Sequence, residues 1–360
     1  MGPETPLPVP SPPARGAATN PPTRFQKLLV ELEPEAFYDD DGDLIPTRTQ
    51  FFRDDSQSII SWNDSPDIPF KAGLNPYRGC EHGCAYCFAR PTHEYLGFSA
   101  GLEFESKIVV KENAPELLRH ELSKKRWEPQ VIAMSGVTDP YQPIERRLEL
   151  TRRCLAVLAE FRNPVAIITK NHLVKRDIDH LQELAAHRAV VVNVSVTTLD
   201  GDLAKVLEPR ASSPSRRLAA IEELTSAGIP VRVLMAPVIP GLTDHEMPAL
   251  LAATARAGAL DAHFVPLRLP LSVAPLFEDW LERHRPGSRE KVLSRVRSIR
   301  GGKLNDPRFG SRMGGEGAFA EQMRALFAIA AKKAGFPRAP RELSTAAFRV
   351  PTDQLSLFVE

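Results

Sequence analysis

Between Gly73 and Pro270 the sequence alternates short β-branched runs with longer amphipathic ones, and this alternation narrows the fold more than any other feature. Strand candidates are Lys107–Lys111, Gln130–Ser135, Val165–Thr169, Val190–Thr197, Val231–Pro237 and His263–Leu269, each bounded by breakers. Helical patterns lie between them at Ala114–Trp127, Glu145–Phe161, Val174–His187, Pro214–Ala227 and Asp244–Gly258. Apolar residues recur there at helical spacing, as in Leu118 and Leu122 or Leu155 and Leu158. Buried strands alternating with helices indicate a parallel α/β sheet or barrel. A full eight-unit barrel takes about 250 residues, so the expected fold is a partial (β/α)6-type barrel.

Four segments are expected. Residues 1–24 form a Pro-rich tail; Met1–Thr23 holds eight prolines and should be disordered. Residues 25–66 form an acidic lead-in that lies on the main domain. Residues 67–280 form the core, and residues 281–360 a basic helical extension. Charge is uneven although the net is only +1: Glu31–Asp67 carries eleven acidic residues, while Leu281–Arg341 carries fifteen Lys or Arg against five acids. Such asymmetry marks either a polyanionic partner at the C-terminal end or two solvated segments that contact each other. The second is the more usual. No apolar run approaches the roughly 20 residues of a membrane helix, so no membrane partner is expected. The N-terminus has no apolar stretch of a secretory signal. Four cysteines are too few for a disulfide scaffold, and a reducing, cytoplasmic setting is expected.

Three of those cysteines fall in Cys80-Glu81-His82-Gly83-Cys84-Ala85-Tyr86-Cys87. Thiolates suit iron–sulfur clusters or zinc. Three on one tight loop hold three corners of a [4Fe-4S] cube and leave the fourth iron open to a chelating ligand. Gly79 and Gly83 let such a loop wrap closely. Zinc held by the three cysteines with His82 or His93 is the alternative, but zinc sites usually pair two Cys-x2-Cys knuckles and only one such step is present. Cys154 lies on the stripe Leu150, Cys154, Leu158, Phe161 and reads as a small core residue.

Cys-x3-Cys-x2-Cys with an aromatic before the last cysteine resembles the radical S-adenosylmethionine (SAM) superfamily. The flanking Asn75-Pro76-Tyr77-Arg78-Gly79 and Phe88-Ala89-Arg90-Pro91 are similar to its spore-photoproduct-lyase-like branch, often labelled DNA repair photolyase. The resemblance spans roughly Asp67 to Leu304. It implies that Cys80, Cys84 and Cys87 hold a [4Fe-4S] cluster whose open iron binds S-adenosylmethionine. Reductive cleavage then gives methionine and a 5′-deoxyadenosyl radical that abstracts hydrogen from a substrate. An external reductant such as flavodoxin or ferredoxin is implied as partner.

The resemblance also implies a cofactor-binding set at the C-terminal ends of the strands, where α/β folds place ligands. Tyr86 would pack on the adenine. Ser135 and Gly136 stand where the superfamily often has two glycines and a glutamate; with no glutamate following, Asp139 is a substitute polar partner. Asn193, Ser195 and Thr197 alternate onto one face of a strand and suit ribose hydroxyls and a carboxylate. Arg210 would bind a carboxylate. Ile239 would lie against the adenine and Gly241 would permit close approach. Asp244 could cap the next helix and Glu145 favour a helix dipole. Gly314-Gly315-Glu316 lies beyond the core and reads as coincidence.

The substrate is not legible. Spore photoproduct lyase uses a further cysteine near the end of the second strand as hydrogen donor; here that stretch is Ala133-Met134-Ser135-Gly136-Val137. The basic extension is compatible with nucleic acid, but its aromatic interleaving is poor. The competing class is an Fe–S or zinc nucleic-acid-binding protein without radical chemistry.

Overall fold

The computed structural model describes residues 14–25, 47–336 and 342–351. Among the described residues ten strands run in chain order: β1 (Gln50–Arg53), β2 (Ile60–Trp62), β3 (Ala72–Leu74), β4 (Tyr77–Arg78), β5 (Lys107–Val110), β6 (Ile132–Met134), β7 (Val165–Thr169), β8 (Val190–Ser195), β9 (Val231–Val238) and β10 (Asp261–Pro266). Seven of them form one sheet in the order β10-β9-β8-β7-β6-β3-β2. From β3 to β10 every pairing is parallel, and β2 adds antiparallel to β3. Six consecutive parallel strands with helical crossovers are the expected partial α/β barrel.

The first of the six differs from the expected one. The expected core strand Lys107–Lys111 forms as β5, over Lys107–Val110, but sits in a separate three-stranded sheet between β1 and β4. Its place in the main sheet is taken by Ala72–Leu74, too short and glycine-interrupted to show periodicity. The last strand also moves: His263–Leu269 was expected and Asp261–Pro266 is found. Leu267 and Leu269 stay buried because they turn inward and join a second core with Phe277 and Trp280.

Helices cover the sheet: α1 (Leu102–Ser106), α2 (Ala114–Leu122), α3 (Glu145–Leu148), α4 (Leu150–Phe161), α5 (Ile178–Ala186), α6 (Gly201–Leu207), α7 (Pro214–Ser226), α8 (Met247–Arg256), α9 (Val273–His284), α10 (Arg289–Ser298) and α11 (Ala318–Ala334). Leu118, Leu155, Leu158, Leu181, Leu184, Ile221 and Leu224 pack against Val165, Ile167, Val192 and Val233 in the main core. β8 is buried on both faces, as a central parallel strand should be.

The stretch expected as one helix over Glu145–Phe161 breaks at Glu149, whose φ is 51°. Glu145 explains the break. Its buried carboxylate accepts from Thr151 N (3.0 Å) and Arg152 N (3.3 Å), so it caps the first turn of α4 and holds α3 apart. Asp244, in contrast, does not cap α8. It accepts from Gly241 N at 2.9 Å and pairs with Arg295 at 3.2 Å.

The expectation of a disordered tail is corrected for residues 14–23. Ala17 and Ala18 are buried, and Thr19 O accepts from Leu102 N at 3.1 Å. Prolines prevent regular structure there without preventing packing. Residues 1–13 and most of the lead-in lie outside the described residues. Part of the basic extension is ion-paired: Arg289 with Glu278 and Glu282, Arg308 with Asp306 and Glu316, Arg312 with Asp67 at 2.5 Å. The last pair joins the acidic and basic segments directly. Among the described residues no helix is long and apolar enough to cross a membrane.

Candidate active site

The cysteine loop follows β4 and is fastened by its backbone. Cys80 N donates to Phe104 O (2.9 Å), Ala85 N to Leu207 O (3.0 Å) and Arg210 N to His82 O (3.2 Å). Arg90, fully buried, gives Cys84 O two bonds from Nε (3.0 Å) and Nη2 (2.9 Å), and reaches Ala100 O, Gly101 O and the Glu105 carboxylate. A guanidinium has five donors, and a tight loop has carbonyls in need of them. The sequence reading left Arg90 inside a motif without a role.

The loop after β6 cradles the other side. Ser135 and Gly136 both have positive φ, 131° and 141°. Ser135 Oγ donates to Thr138 O (2.7 Å), which folds the turn back on itself. Thr138 Oγ1 donates to Gly79 O (2.7 Å), and Gln142 Oε1 accepts from Glu81 N (2.9 Å). Asp139 accepts from Thr169 Oγ1, Lys170 N and Tyr141 N, and pairs with His82 Nδ1 at 3.3 Å. Burial opposes a charge on His82, but Asp139, with a smaller contribution from Cys80, pushes its pKa up to about 10. Asp139 is thus engaged on the cysteine loop itself rather than set facing open space.

Three thiols are free on this loop: Cys80 and Cys84 buried, Cys87 partly exposed. Burial pushes the Cys84 and Cys87 thiols above their ordinary values; Lys170 draws both back, and Arg90 also draws Cys87. Cys80 raises both Cys84 and Cys87, and Cys87 raises Cys84, so the three lie in one electrostatic neighbourhood. Among the described residues no three His, Cys, Asp or Glu side chains converge as a single ion requires. The donor set fits a cluster that takes one thiolate on each of three irons, with Lys170 and Arg90 as fixed positive charge beside it.

Tyr86 is buried, and its hydroxyl bonds the Glu208 carboxylate. Glu208 also accepts from Thr197 Oγ1 (2.8 Å) and is ion-paired to Arg217. Burial works against the Glu208 charge, yet Arg217 and Lys170 outweigh it and hold its pKa below the ordinary carboxylate value. Arg217 anchors further to Ser212 O (2.7 Å) and to Ser195 O (3.1 Å) at the end of β8. Neither Glu208 nor Arg217 was singled out from sequence. Glu208 stands in the Leu207-Glu208-Pro209-Arg210 run, whose arginine drew the attention instead.

Of the expected residues, Ser195 and Thr197 lie buried at the C-terminal end of β8, and Asn193 bridges to β7 by donating to Ile167 O (2.9 Å). Ile239 is buried in one apolar cluster with Cys84, Tyr86 and Leu267. Arg210 pairs internally with Glu81 at 3.1 Å and with Thr49 Oγ1 at 3.3 Å. Gly241 has φ 83°, and a Cβ there would meet Arg295 Cδ of α10 at 3.2 Å. The need for glycine at 241 therefore comes from the turn and from α10. Cys154 is buried in the main core, as its stripe indicated.

Lys170, the first charged residue after β7, was missed. Its Nζ lies 5.7 Å from the Tyr86 ring centroid. The position after a parallel strand's C-terminal end was the signal that could have found it. At the rim, Phe88 follows Cys87 directly, is 54% exposed and lies under the Arg268 guanidinium at 5.9 Å. Phe309, also exposed, lies under Arg312 at 4.5 Å. The interleaving of aromatic and basic residues that is poor along the sequence is thus present in space.

A parallel six-strand sheet with a three-cysteine loop at its C-terminal edge defines a class. The family model of the radical SAM superfamily matches residues 74–253. The chain belongs to the radical SAM superfamily, a family of enzymes. An uncharacterised protein of Mycobacterium tuberculosis is 39% identical over 234 residues, 64% of this chain and 68% of the relative. The radical SAM Nalpha-GlyT isomerase of a Pseudomonas phage is 31% identical over 173 residues, 48% of this chain and 34% of that protein. Among solved structures, spore photoproduct lyase complexed with dinucleoside spore photoproduct superposes with a TM-score of 0.57 at 15% identity, covering 79% of each chain. That likeness is one of fold.

Proposed function

We propose that the protein binds a [4Fe-4S] cluster through Cys80, Cys84 and Cys87 and uses it to cleave S-adenosylmethionine, drawing hydrogen from a nucleic-acid component. The observation that carries this reading is the cysteine loop itself, held at the C-terminal edge of the parallel sheet among buried polar groups. Cys80, Cys84 and Cys87 would hold the cluster, which, when bound, would supply the electron, received from an external reductant such as flavodoxin or ferredoxin, for reductive cleavage of S-adenosylmethionine.

The protein's own residues orient and enclose. Tyr86 offers its ring to the adenine, with the buried Ile239 packed in the same apolar cluster. Ser135, Gly136 and the polar ends of Asn193, Ser195 and Thr197 offer donors and acceptors for the ribose and the methionyl group. Lys170 is the cation for the methionyl carboxylate, since Arg210 has its carboxylate in Glu81. Asp139 positions the loop through His82, and Gly241 shapes the turn that carries Ile239. Phe88 under Arg268 supports a nucleic-acid component as substrate, a base meeting the exposed ring while the guanidinium meets phosphate; the Arg312 guanidinium over Phe309 is already held by Asp67. Cys154, buried in the core, is no donor for cysteine-assisted dimer reversal.

The test is anaerobic reconstitution, with EPR of the dithionite-reduced protein with and without S-adenosylmethionine and an assay for 5′-deoxyadenosine, run with oligonucleotides and with peptides. A [4Fe-4S]⁺ signal altered by the cofactor, and product raised by oligonucleotides, supports the reading. Stoichiometric zinc or a cluster blind to the cofactor overturns it in favour of a binding module. Lys170→Met should raise the apparent Kd for S-adenosylmethionine about 10–100-fold, read by titrating the EPR change in protein normalised to bound iron.

A further inference from the structure

Residues 14–25 cross the outer face of the cysteine loop at a distance that only glycine permits. A Cβ on Gly16 would stand 1.8 Å from Gly83 O, inside the loop between the first two cysteines. Gly16 N and Ala17 N donate to the two oxygens of the buried Glu105 carboxylate at 3.0 and 2.9 Å. The same carboxylate receives Arg90, the residue that holds Cys84 O. A Cβ on Gly83 would meet Glu105 Oε2 at 2.6 Å, so Gly83 is enclosed between the segment and Glu105.

Arg15 extends the contact to the other half of the loop. It donates to Glu105 O (2.7 Å), Thr47 O (2.7 Å) and Thr49 Oγ1 (3.2 Å). Thr49 Oγ1 donates in turn to Glu81 Oε1 (3.2 Å), and Glu81 also takes Arg210. A polar chain therefore runs from Glu105 through Arg15 and Thr49 to Glu81 in the loop, while Gly16 lies directly against Gly83 at the loop's other end. Ala17 packs with Leu102 and Leu276, and Ser99 Oγ donates to Pro21 O (2.7 Å), which anchors the segment at its far end.

We propose that the Arg15–Asn20 segment is a clamp on the cysteine loop, with Gly16 and Arg15 as positioning residues that fix the separation of Cys80 and Cys84 and shield the cluster from solvent. The proposal rests on the cluster reading above. A loop of three ligands around an open iron has no fourth cysteine to hold its shape, so rigidity must come from outside the motif.

The test compares wild type, Gly16→Val, Arg15→Met and Cys84→Ala in the full chain, reconstituted anaerobically, with the fold of each checked by circular dichroism. The readouts are iron retained after gel filtration, the rate at which visible cluster absorbance bleaches in air, and the reduced EPR spectrum. Gly16→Val pushes the clamp away. Arg15→Met breaks the polar chain without a clash and keeps the test valid if Gly16→Val does not fold. Both variants should take up a cluster, bleach about tenfold faster than wild type and show a shifted EPR spectrum. Wild-type retention, bleaching and spectrum in Arg15→Met, or in a folded Gly16→Val, overturn the clamp and leave the cluster reading standing. A wild-type protein that takes up no cluster overturns the cluster reading and the clamp with it.

Discussion

Cys84→Ala should abolish 5′-deoxyadenosine formation and the reduced cluster signal while leaving a folded protein. The loss should exceed the roughly 10–100-fold that changes around a metal's ligands cost, because here a ligand itself is removed. Folding should survive. Deleting one sulfur from a buried but loop-borne site costs on the order of 1 kcal/mol, and Arg90 still holds the residue's carbonyl. Iron analysis, EPR and the product assay check the first part, and denaturant unfolding the second. Cys154→Ala is the control. That thiol lies in the apolar core beside Leu155 and Leu158, so iron content should stay at the wild-type value.

Arg217→Met should destabilise the fold by about 3–5 kcal/mol, because it strands the buried Glu208 carboxylate without its cation. The pH dependence should change sign at this group. In wild type the Glu208 pKa lies below its ordinary value. Its contribution to stability is therefore present above the ordinary carboxylate range and is lost as pH falls through the folded value. In the variant, burial without Arg217 raises the pKa, and the variant should lose stability as pH rises. Urea unfolding at several pH values reads both effects. Glu208→Gln combined with Arg217→Met should recover much of the loss. Tyr86 and Thr197 both donate to Glu208 Oε1, so a carboxylate displaced in the Arg217→Met variant should also lower cofactor affinity even where the protein remains folded.

Periodicity made the sheet legible from β6 to β9, where strands are β-branched and helices carry regular apolar stripes. It failed where an element is short. Ala72–Leu74 has three residues and relies on its neighbours for definition, while Lys107–Val110 has a strand's composition and a different sheet. Composition misled over residues 14–23. Proline excludes regular hydrogen bonding, but alanine and glycine can still be buried when another segment supplies a carboxylate to their N–H groups, as Glu105 does. The three cysteines were visible because their chemistry needs fixed spacing along the chain. The groups that hold Tyr86 were not, because Glu208 and Arg217 meet only through the turn between α6 and α7. Lys170 is a single charge after a strand, and only the third dimension sets it over an aromatic ring.

The side chains assigned to chemistry stand toward or beyond the C-terminal ends of the parallel strands, and none of them stands at the N-terminal ends near Val165, Val190, Val231 or Asp261. The two rims therefore answer to different selective pressures. Loops on the first rim can exchange residues and move the enzyme to a new substrate while the frame stays as it is. Substitutions on the second can raise the melting temperature without meeting the trade-off between stability and turnover that affects changes near a reacting centre. An engineer seeking a sturdier or a re-targeted enzyme would begin at opposite ends of the same sheet.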